Sequence, residues 1–600
     1  MVNVFFRQLK ALVKSSYHSI FANYFFMAIF GGLLPVVLTL MPQMIISRIE
    51  LGEEFKRLMV LIAVLGLSVI LASVVSIYSK QMVSVKALNF RTEEFNHFFE
   101  TYLNVDYEYI EDMDWLDSIE MKMRCLGGDN DGFEGSLVRF GELTTNYITI
   151  IIFTVFLTIL SPWLLLLIIL YLVVAYIASS KAQDVYINKR KIITNFQRKE
   201  GYYFNTASDL SYGKDIRLFN LKNSILKCMD KEISGAKKVM NQVHNKIFLW
   251  SILEVLAMSM LFGLGLYFII NNYMQDKKAA NLLFYILVII SVINYLALNA
   301  TKLNEFIRGI KEVKDYYDFL DENKASDNGK SYQFTKPLEI VFDNVSFKYP
   351  HSENYVFKNL SFKINPKEKI AIVGANGAGK TTIVKLMTGL FRPTEGHIYV
   401  NGEDINLLKR KDIYDAYAVV FQDINIYAFS ILENISLEEA ENTDYKRVME
   451  VLKREGIYDK IMDLDKKEAQ MMTKYIEPDG VEFSGGETQK LAIARALYKD
   501  SAKAVILDEP TSALDALAEA NIYQSFSDLV KDKTAIYISH RLSSTKFCDR
   551  ILLFDETGLA EVGTHDELMK LKKKYYELFN IQGKYYQEGG ESNEDASKDA

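Results

Sequence analysis

Long apolar stretches dominate the first half of the chain, at residues 21–47, 58–79, 143–180, 248–270 and 279–301. Glu254, in the fourth of them, is their one charged residue. The third is interrupted by Ser161-Pro162 and is long enough for two spans joined by a tight turn. A helix of about 20 apolar residues crosses the hydrocarbon core of a bilayer. The pattern therefore predicts six transmembrane helices.

Two long polar loops, residues 80–142 and 181–246, contain six and 14 Lys or Arg residues respectively. The short loops on the other side of the spans contain few. Because Lys and Arg collect on the cytoplasmic side, we expect the N-terminus, both long loops and the C-terminal half in the cytoplasm. The pattern of the loops predicts helices that extend the spans into the cytoplasm, and this helical pattern is interrupted at residues 106–118 and 208–219. Each break is either a short transverse segment that touches the C-terminal domain or a simple hairpin tip.

Residues 1–16 form an amphipathic pattern whose apolar face holds Phe5, Phe6, Leu9, Leu12 and Val13. We expect this helix at the inner membrane surface, the alternative being an ordinary helix that faces the core. The apolar run that follows is too long for the core of a signal peptide and lacks a small-residue cleavage site, so we expect no cleavable signal.

Glu254 is the one charge of its span. Facing lipid would be costly for a carboxylate, so we expect it to face a cavity, a partner helix or an interface. Two interpretations remain open. Glu254 either contacts the transported substrate or is hydrated near the cytoplasmic end of its helix.

Strand patterns begin at residue 338, in the second half of the chain. The chain is too long for one domain. We predict a membrane α-helical domain over 1–320, a linker over 321–335, an α/β domain over 336–583 and a disordered acidic tail over 584–600. A net charge of −7 over 600 residues does not indicate nucleic acid. Three widely spaced cysteines indicate free thiols in a reducing compartment.

A glycine-rich loop, Gly374-Ala-Asn-Gly-Ala-Gly-Lys-Thr-Thr382, follows a strand pattern and precedes a helix pattern. In that context G-x-x-x-x-G-K-S/T indicates phosphate binding. Glycines let backbone N–H groups and the positive end of the helix approach the anion. We predict that Lys380 reaches the β- and γ-phosphates and that the Thr381 hydroxyl holds Mg²⁺. The alternative is a glycine turn with a surface lysine.

Further patterns could complete this site. The strand pattern 504–507 ends in Asp508 and Glu509. The first carboxylate could hold Mg²⁺ through water, and the second could polarise an attacking water. Ser484-Gly-Gly486 is suited to start a helix with an anion-binding end. Tyr349 could stack on a purine or be a strand tyrosine without a ligand.

The order of these motifs resembles that of the ATP-binding-cassette (ABC) family, and the whole chain is similar to a six-span exporter half-transporter with one nucleotide-binding domain. The resemblance extends from about Phe5 to Gly583. The matching motifs are the base-stacking aromatic Tyr349, the Walker A loop Gly374–Thr382, the lid glutamine Gln422, the signature Ser484-Gly-Gly486, the Walker B pair Asp508 and Glu509, the dimer-contact loop Ser512–Asp515 and the switch histidine His540.

The resemblance implies two cassettes that sandwich two ATP molecules head to tail, with Ser484–Gly486 of one cassette opposite Lys380 of the other. It implies Glu509 as general base or water-positioning group, His540 as the group that orients the γ-phosphate, and Gln422 as the link from Mg²⁺ to the membrane loops. Lys380 completes the catalytic set. The implied Mg²⁺ ligands are Thr381, Gln422 and Asp508. The implied nucleotide-binding residues are Tyr349, Gly374, Ala375, Asn376, Gly377, Ala378, Gly379, Lys380, Thr381, Thr382, Ser484, Gly485 and Gly486.

Two residues depart from the usual signature Leu-Ser-Gly-Gly-Gln. Phe483 replaces the leucine and keeps an apolar anchor, and Glu487 replaces the glutamine. The Glu487 carboxylate either weakens engagement of the partner's polyphosphate or faces the ribose hydroxyls. Glu509 and His540 match the family, so we expect ATP hydrolysis unless a partner chain brings a degenerate signature.

The sequence thus predicts an ATPase coupled to transport, which exports a peptide, a lipid or an amphipathic small molecule across the plasma membrane. Its cofactors would be ATP and Mg²⁺. Its partner would be a second copy or a paralogous half-transporter, within the lipid bilayer. Two alternatives are an importer with exporter architecture and an ATP-gated channel or sensor. An intact Glu509 argues against the last, because a clamp that only binds ATP does not need it.

Overall fold

The computed structural model describes residues 2–128, 132–276, 278–323, 329–509, 530, 532–539, 542–556 and 558–582. The chain divides into two compact units. One is helical and comprises residues 1–105 and 113–324. The other is an α/β unit of residues 106–112 and 325–600. The predicted fold class, a membrane α-helical part and an α/β part, is confirmed.

Helix α1 (Val2–Lys14) packs Phe5, Leu9 and Leu12 of its predicted apolar face into the core of the helical unit. Leu12 and Gln8 are fully buried within the helical unit, and the Gln8 amide donates to the Phe133 carbonyl at 2.9 Å. Phe6 and Val13 are exposed, so the expected apolar face is divided. The hydrogen bond satisfies the buried Gln8 amide, as buried polar groups require.

Six helices of the described chain are long and apolar enough to cross a membrane, which confirms the predicted number. They are α2 (Ile20–Glu50), α3 (Phe55–Leu103), α6 (Gly132–Leu160), α7 (Pro162–Ser208), α9 (Lys222–Asp276) and α10 (Ala279–Asn323). At 1.5 Å per residue, α3 with its 49 residues extends about 74 Å. A bilayer core is about 30 Å thick. The spans therefore continue into the long loops as predicted.

Both predicted breaks in the long loops are present. The first contains α4 (Tyr107–Ile110), followed by α5 (Met113–Gly127), and residues 106–112 belong to the α/β unit. This supports the transverse-segment interpretation for residues 106–112, whereas residues 113–118 of the predicted break begin α5 of the helical unit. The second contains α8 (Gly213–Leu218), whose last residue Leu218 is 79% exposed and is followed by Phe219, which is 72% exposed.

The α/β unit contains two sheets. A small antiparallel sheet has the order β2-β1-β4-β5. Its strands are β1 (Ile340–Phe347), β2 (Phe357–Ile364), β4 (Glu395–Val400) and β5 (Glu403–Asp404). A larger sheet has the order β10-β9-β3-β8-β7-β6. Its strands are β3 (Lys369–Gly374), β6 (Tyr417–Val420), β7 (Ala504–Asp508), β8 (Thr534–Ile538), β9 (Arg550–Asp555) and β10 (Gly558–Gly563).

The central strands of the larger sheet are parallel, and β7 and β8 are buried along their whole length. Such strands are apolar because helices cover both faces of the sheet. The helices of this unit include α11 (Lys380–Met387), α12 (Arg410–Ala416), α13 (Ile431–Ser436), α14 (Tyr445–Arg454), α15 (Tyr458–Met462), α16 (Gly485–Tyr498) and α17 (His565–Leu571). Strands β3 and β7 flank β8, so their carboxyl ends meet at one edge, where parallel α/β sheets bind ligands.

Candidate active site

The glycine loop joins β3 to α11 at this edge. Gly379 is the N-cap of α11 with φ of +82°, and Gly377 has φ of +83°. A Cβ on Gly379 would lie 2.3 Å from Cζ of Phe357, so glycine is required there. A Cβ on Gly377 would meet no atom within 4 Å. The N–H groups of the first turn of a helix have no partner within the helix, so this loop offers donors to an anion.

Lys380 is buried at the start of α11. Its ammonium donates to the carbonyl oxygens of Gly374 and Ala375, each at 3.0 Å. Burial lowers the pKa of Lys380, while Glu509 and Asp508 act in the opposite direction. A phosphate oxygen would be a stronger acceptor than these carbonyls because the bond would be assisted by charge on both sides. The lysine is thus positioned to bind a phosphate at the loop.

Asp508 is fully buried at the end of β7. Neither of its carboxylate oxygens accepts a hydrogen bond of ordinary geometry within the described residues. Burial raises the pKa of Asp508 to about 6; the neighbouring Thr381 hydroxyl and Lys380 lower it, and Glu509 raises it. A buried carboxylate without a partner, beside a hydroxyl, fits a cation that prefers oxygen ligands. Thr381 and Asp508 therefore suit Mg²⁺.

Glu509 leaves the sheet through a left-handed turn. Its φ is +50°, and its N–H donates to the Ile538 carbonyl at 3.0 Å. A non-glycine residue in this region costs of the order of 1–3 kcal/mol, and such residues concentrate at functional sites. The turn directs the Glu509 side chain into the wall of the cavity at the sheet edge.

A cavity of about 550 Å³ brings together most of the predicted residues. This volume is typical of small-molecule sites. Val356 also lines the cavity, and its sequence carries no chemical signal of this because it is a single apolar side chain before a strand. The Tyr349 hydroxyl and the Thr382 Oγ1 are hydrogen-bonded at 2.8 Å. The residues that line the cavity are Tyr349, Val356, Asn376, Gly377, Gly379, Lys380, Thr381, Thr382, Gln422 and Glu509.

Ser484, Gly485 and Gly486 do not line this cavity. Ser484 is the N-cap of α16, as predicted, and it is exposed together with Gly485. Within one chain, the N-terminus of α16 is therefore not part of the cavity at the phosphate loop. His540 and the loop Ser512–Asp515 lie outside the described residues.

A profile of the ABC transporter family matches residues 357–512. The chain is 30% identical over 460 residues to the subtilin transport ATP-binding protein SpaT of Bacillus subtilis, with 74% of each chain covered. The chain belongs to the ABC transporter family. It is also 31% identical over 283 residues to an ATP-dependent lipid A-core flippase of Methylobacillus flagellatus, covering 47% of this chain and 48% of the flippase.

The fold of this ABC transporter is similar to a solved bacterial Atm1-family ABC exporter with ATP bound. The TM-score is 0.78 at 20% sequence identity, and the match covers 94% of this chain and 98% of the other. Membership of the family confirms a multi-pass membrane protein with one cassette, which binds nucleotide and couples ATP hydrolysis to transport.

In this ABC transporter, the two residues that depart from the usual signature, Phe483 and Glu487, both contact Lys460. The Glu487 Oε2 accepts a hydrogen bond from the Ser484 N–H at 2.9 Å, and its Oε1 accepts from Lys460 at 2.5 Å. The Lys460 ammonium also lies 5.2 Å from the centroid of the Phe483 ring. The hydrogen bond from Lys460, followed by that from Ser484, lowers the pKa of Glu487 to about 2. Neither sequence interpretation anticipated that this carboxylate closes the end of its own helix.

Residues 106–112 dock beside the phosphate-loop helix of the cassette. Glu111 accepts a hydrogen bond from Lys385 of α11 at 2.6 Å, and Tyr107 meets Phe391 edge to face at 5.8 Å. Phe391 in turn contacts the ring of Tyr349 at 5.5 Å. The transverse segment is thus one aromatic ring away from the predicted base-stacking residue.

Proposed function

We propose that this protein exports an amphipathic cargo (a peptide, a lipid or a small molecule) across the plasma membrane, with its cassette in the cytoplasm. The observation that carries the proposal is the cavity in which Lys380, Thr381 and Glu509 meet, beside the buried and unpartnered Asp508. That cavity is part of the same chain as six membrane helices. The relatives named for subtilin transport and for a lipid A-core flippase support a cargo of this kind.

The residues of the cavity perform distinct tasks. Tyr349 stacks on the base, the glycine loop holds the phosphates, and Lys380 moves from its loop carbonyls to the β- and γ-phosphates. Glu509 orients the attacking water and accepts its proton. Thr381 and Asp508 would hold Mg²⁺, which would neutralise phosphate charge. His540 and Gln422 complete the site as the family resemblance implies.

The working unit is a dimer. The signature Ser484–Gly486 lies outside the cavity of its own chain, so a second chain has to supply it to the nucleotide. The exposed side chains Leu218 and Phe219, at the tip of the second loop, support docking of that tip on the other chain. A second copy is the simplest partner, and a paralogous half-transporter would serve equally.

Inside-out membrane vesicles test the proposal. We expect ATP-driven accumulation of an amphipathic cargo by the wild type, and Glu509→Gln to bind ATP while hydrolysing it at least about tenfold more slowly, in line with losses of about 10²–10⁴ for a general base. The matched control is Glu556→Gln, which changes an exposed acid just after β9 of the same sheet. Unchanged turnover of Glu509→Gln contradicts the role of Glu509. ATP-dependent leak instead of accumulation favours a channel, and accumulation in the opposite direction favours an importer.

A further inference from the structure

A buried amide holds the backbone that follows Gln422. Residues 423–429 belong to no helix or strand of the described structure, so their N–H and C=O groups need other partners. Asn434 of α13 is fully buried and donates to the carbonyl of Tyr427 at 2.9 Å and to that of Phe429 at 3.2 Å. Its Oδ1 accepts from the Tyr427 N–H at 3.0 Å. One side chain therefore fixes this segment onto α13.

Arg495 joins the same segment to α16, the helix that begins at the signature. Its Nε donates to the Asn434 carbonyl at 2.8 Å, and its Nη1 donates to the Asn425 carbonyl at 3.2 Å. Its Cζ lies 5.6 Å from the centroid of the Tyr427 ring. Asn425 is three residues after Gln422, whose side chain lines the cavity at the phosphate loop. The guanidinium thus holds the backbone close to a residue of the nucleotide site.

The guanidinium of Arg495 has no acidic partner. It forms no ion pair within the part of the chain that the structure describes, and its hydrogen bonds go to amide oxygens of Asn425 and Asn434. Burial lowers the pKa of Arg495, and the neighbouring Tyr427 acts in the opposite direction. A buried charge is costly unless hydrogen bonds compensate it, and a well-packed apolar side chain often serves stability equally well. Packing alone therefore does not account for an arginine at this position.

Helix α16 extends from the signature to the segment after Gln422. Ser484 caps its N-terminus, and Arg495 follows 11 residues later. At 1.5 Å per residue the two ends of this stretch are about 16 Å apart. Rigid secondary elements can carry a displacement between two sites. A shift of Gln422 in the cavity would therefore be passed along α16 to the signature.

We propose that Arg495 is a positioning residue for ATP hydrolysis, which keeps Gln422 in the wall of the cavity by tying the backbone after it to the signature helix. The inference rests on the role proposed for Gln422. Arg495 is not among the described residues that line the cavity. Loss of its guanidinium should therefore release residues 423–429 and misplace Gln422, while Lys380 and the glycine loop still bind ATP.

Hydrogen exchange and steady-state ATPase activity of the full-length protein test the proposal. In Arg495→Met without nucleotide, we expect backbone amides of residues 423–429 to exchange at least tenfold faster than in the wild type. The kcat for ATP should fall at least fivefold, with the KM for ATP changed less than twofold. Arg495→Lys keeps the positive charge but lacks the planar fork of donors, so it should recover part of the kcat.

Arg447→Met is the matched control. Arg447 of α14 donates to the Leu497 carbonyl of the same helix α16 at 3.4 Å, and its Cζ also lies 5.6 Å from a tyrosine ring, that of Tyr498. It makes no printed contact with residues 423–429 in the described structure. Arg447→Met should therefore leave both the exchange of this segment and the kcat close to wild type.

A double variant decides whether Arg495 acts through Gln422. If it does, Arg495→Met with Gln422→Ala should have the kcat of Gln422→Ala alone, within about twofold. Multiplied losses, or unchanged exchange at residues 423–429 in Arg495→Met, would overturn the proposal. Should Arg495→Met fail to fold, Arg495→Lys enters the same comparison and has to show the same lack of multiplication.

Vesicle uptake separates this proposal from the export function. Losses that do not multiply, together with no ATP-driven uptake of any amphiphile by the wild type, would leave the role of Arg495 standing and contradict export. ATP-driven uptake by the wild type, with multiplied losses in the double variant, would leave export standing and overturn the role of Arg495.

Discussion

Lys460 and Glu487 are 27 residues apart in sequence, and the lysine donates to the carboxylate at 2.5 Å beside the first turn of α16. The same ammonium covers the ring of Phe483. Both departures from the usual signature therefore contact one side chain. Lys460 offsets a negative charge that would otherwise face the polyphosphate bound by the other cassette of the proposed dimer.

Removing Lys460 should weaken engagement of ATP through the signature. The Glu487 carboxylate would stay ionised but lose its cation, and its charge would oppose the γ-phosphate. An exposed ion pair contributes about 0.2–1 kcal/mol. We therefore expect Lys460→Met to raise the KM for ATP by a factor of up to about five, measured as steady-state ATPase activity in proteoliposomes.

The double variant Lys460→Met with Glu487→Gln decides whether charge is the cause. Its KM should return to that of Glu487→Gln alone, because no unpaired charge remains. Lys466→Met is the matched control, since Lys466 forms an exposed pair with Asp479 in the same unit at 2.6 Å. A double variant as impaired as Lys460→Met would show that the lysine acts through packing on Phe483.

Because Asp508 is expected to bind Mg²⁺, the Mg²⁺ concentration that ATPase activity requires should depend on pH. Burial raises its pKa to about 6, and only the ionised form binds a cation well. Below that pH the ionised fraction falls about tenfold per unit. We expect the Mg²⁺ concentration for half-maximal ATPase activity to rise steeply from pH 6.5 to pH 5 and to be nearly constant above pH 7.

The ionised Asp508 carboxylate that favours Mg²⁺ binding should destabilise the metal-free fold. Because the folded protein holds the Asp508 proton more tightly than the unfolded chain, its contribution to stability falls as pH rises from the ordinary value of 3.8 to about 6. Asp508→Asn should therefore unfold at a higher temperature than wild type at pH 7.5 without Mg²⁺, and the difference should shrink at pH 5. A lower Tm for the variant at pH 7.5 would contradict an unpaired buried charge.

Two glycines of the phosphate loop should differ in their tolerance of a methyl group. Both have positive φ, so alanine carries a similar backbone strain of about 1–2 kcal/mol at each. At Gly379 the added Cβ also meets the buried Phe357 ring at 2.3 Å, whereas at Gly377 it meets nothing. Gly379→Ala should lower the Tm of the nucleotide-free protein by several degrees more than Gly377→Ala, measured by thermal unfolding. Equal losses would contradict the packing of Phe357 against the loop.

Local patterns explain what could be predicted from the sequence. The strand, glycine loop and helix around Lys380 are continuous in the chain, so hydrophobic pattern and glycine spacing determine them together. Asp508 lies near Lys380 because parallel strands end at the same edge of the sheet, so the end of β7 is close to the phosphate loop that follows β3. The six spans follow from their length and lack of charge.

Contacts between distant segments could not be predicted in the same way. Lys460 is a surface lysine on a five-residue helix, and nothing in its neighbourhood indicates Glu487 as its partner. The segment 106–112 is grouped with the α/β unit although Asp106 and its partner Arg392 are 286 residues apart. The buried hydrogen bond from Gln8 to the Phe133 carbonyl likewise has no signal in the helical pattern of α1.

The ion pair between Glu111 and Lys385 should matter for coupling more than for ATP hydrolysis. Lys385 lies on the helix that starts at the phosphate loop, and Glu111 lies in the transverse segment that continues from α3. Lys385→Met should lower the cargo moved per ATP hydrolysed several-fold, measured by parallel uptake and phosphate release in proteoliposomes. The charge exchange Lys385→Glu with Glu111→Lys should restore part of the ratio. Lys363→Met is the control, because it removes an ion pair to Glu339 elsewhere in the cassette. Equal loss of uptake and hydrolysis in Lys385→Met would mean that the pair serves the nucleotide site and not the transmission of its closure.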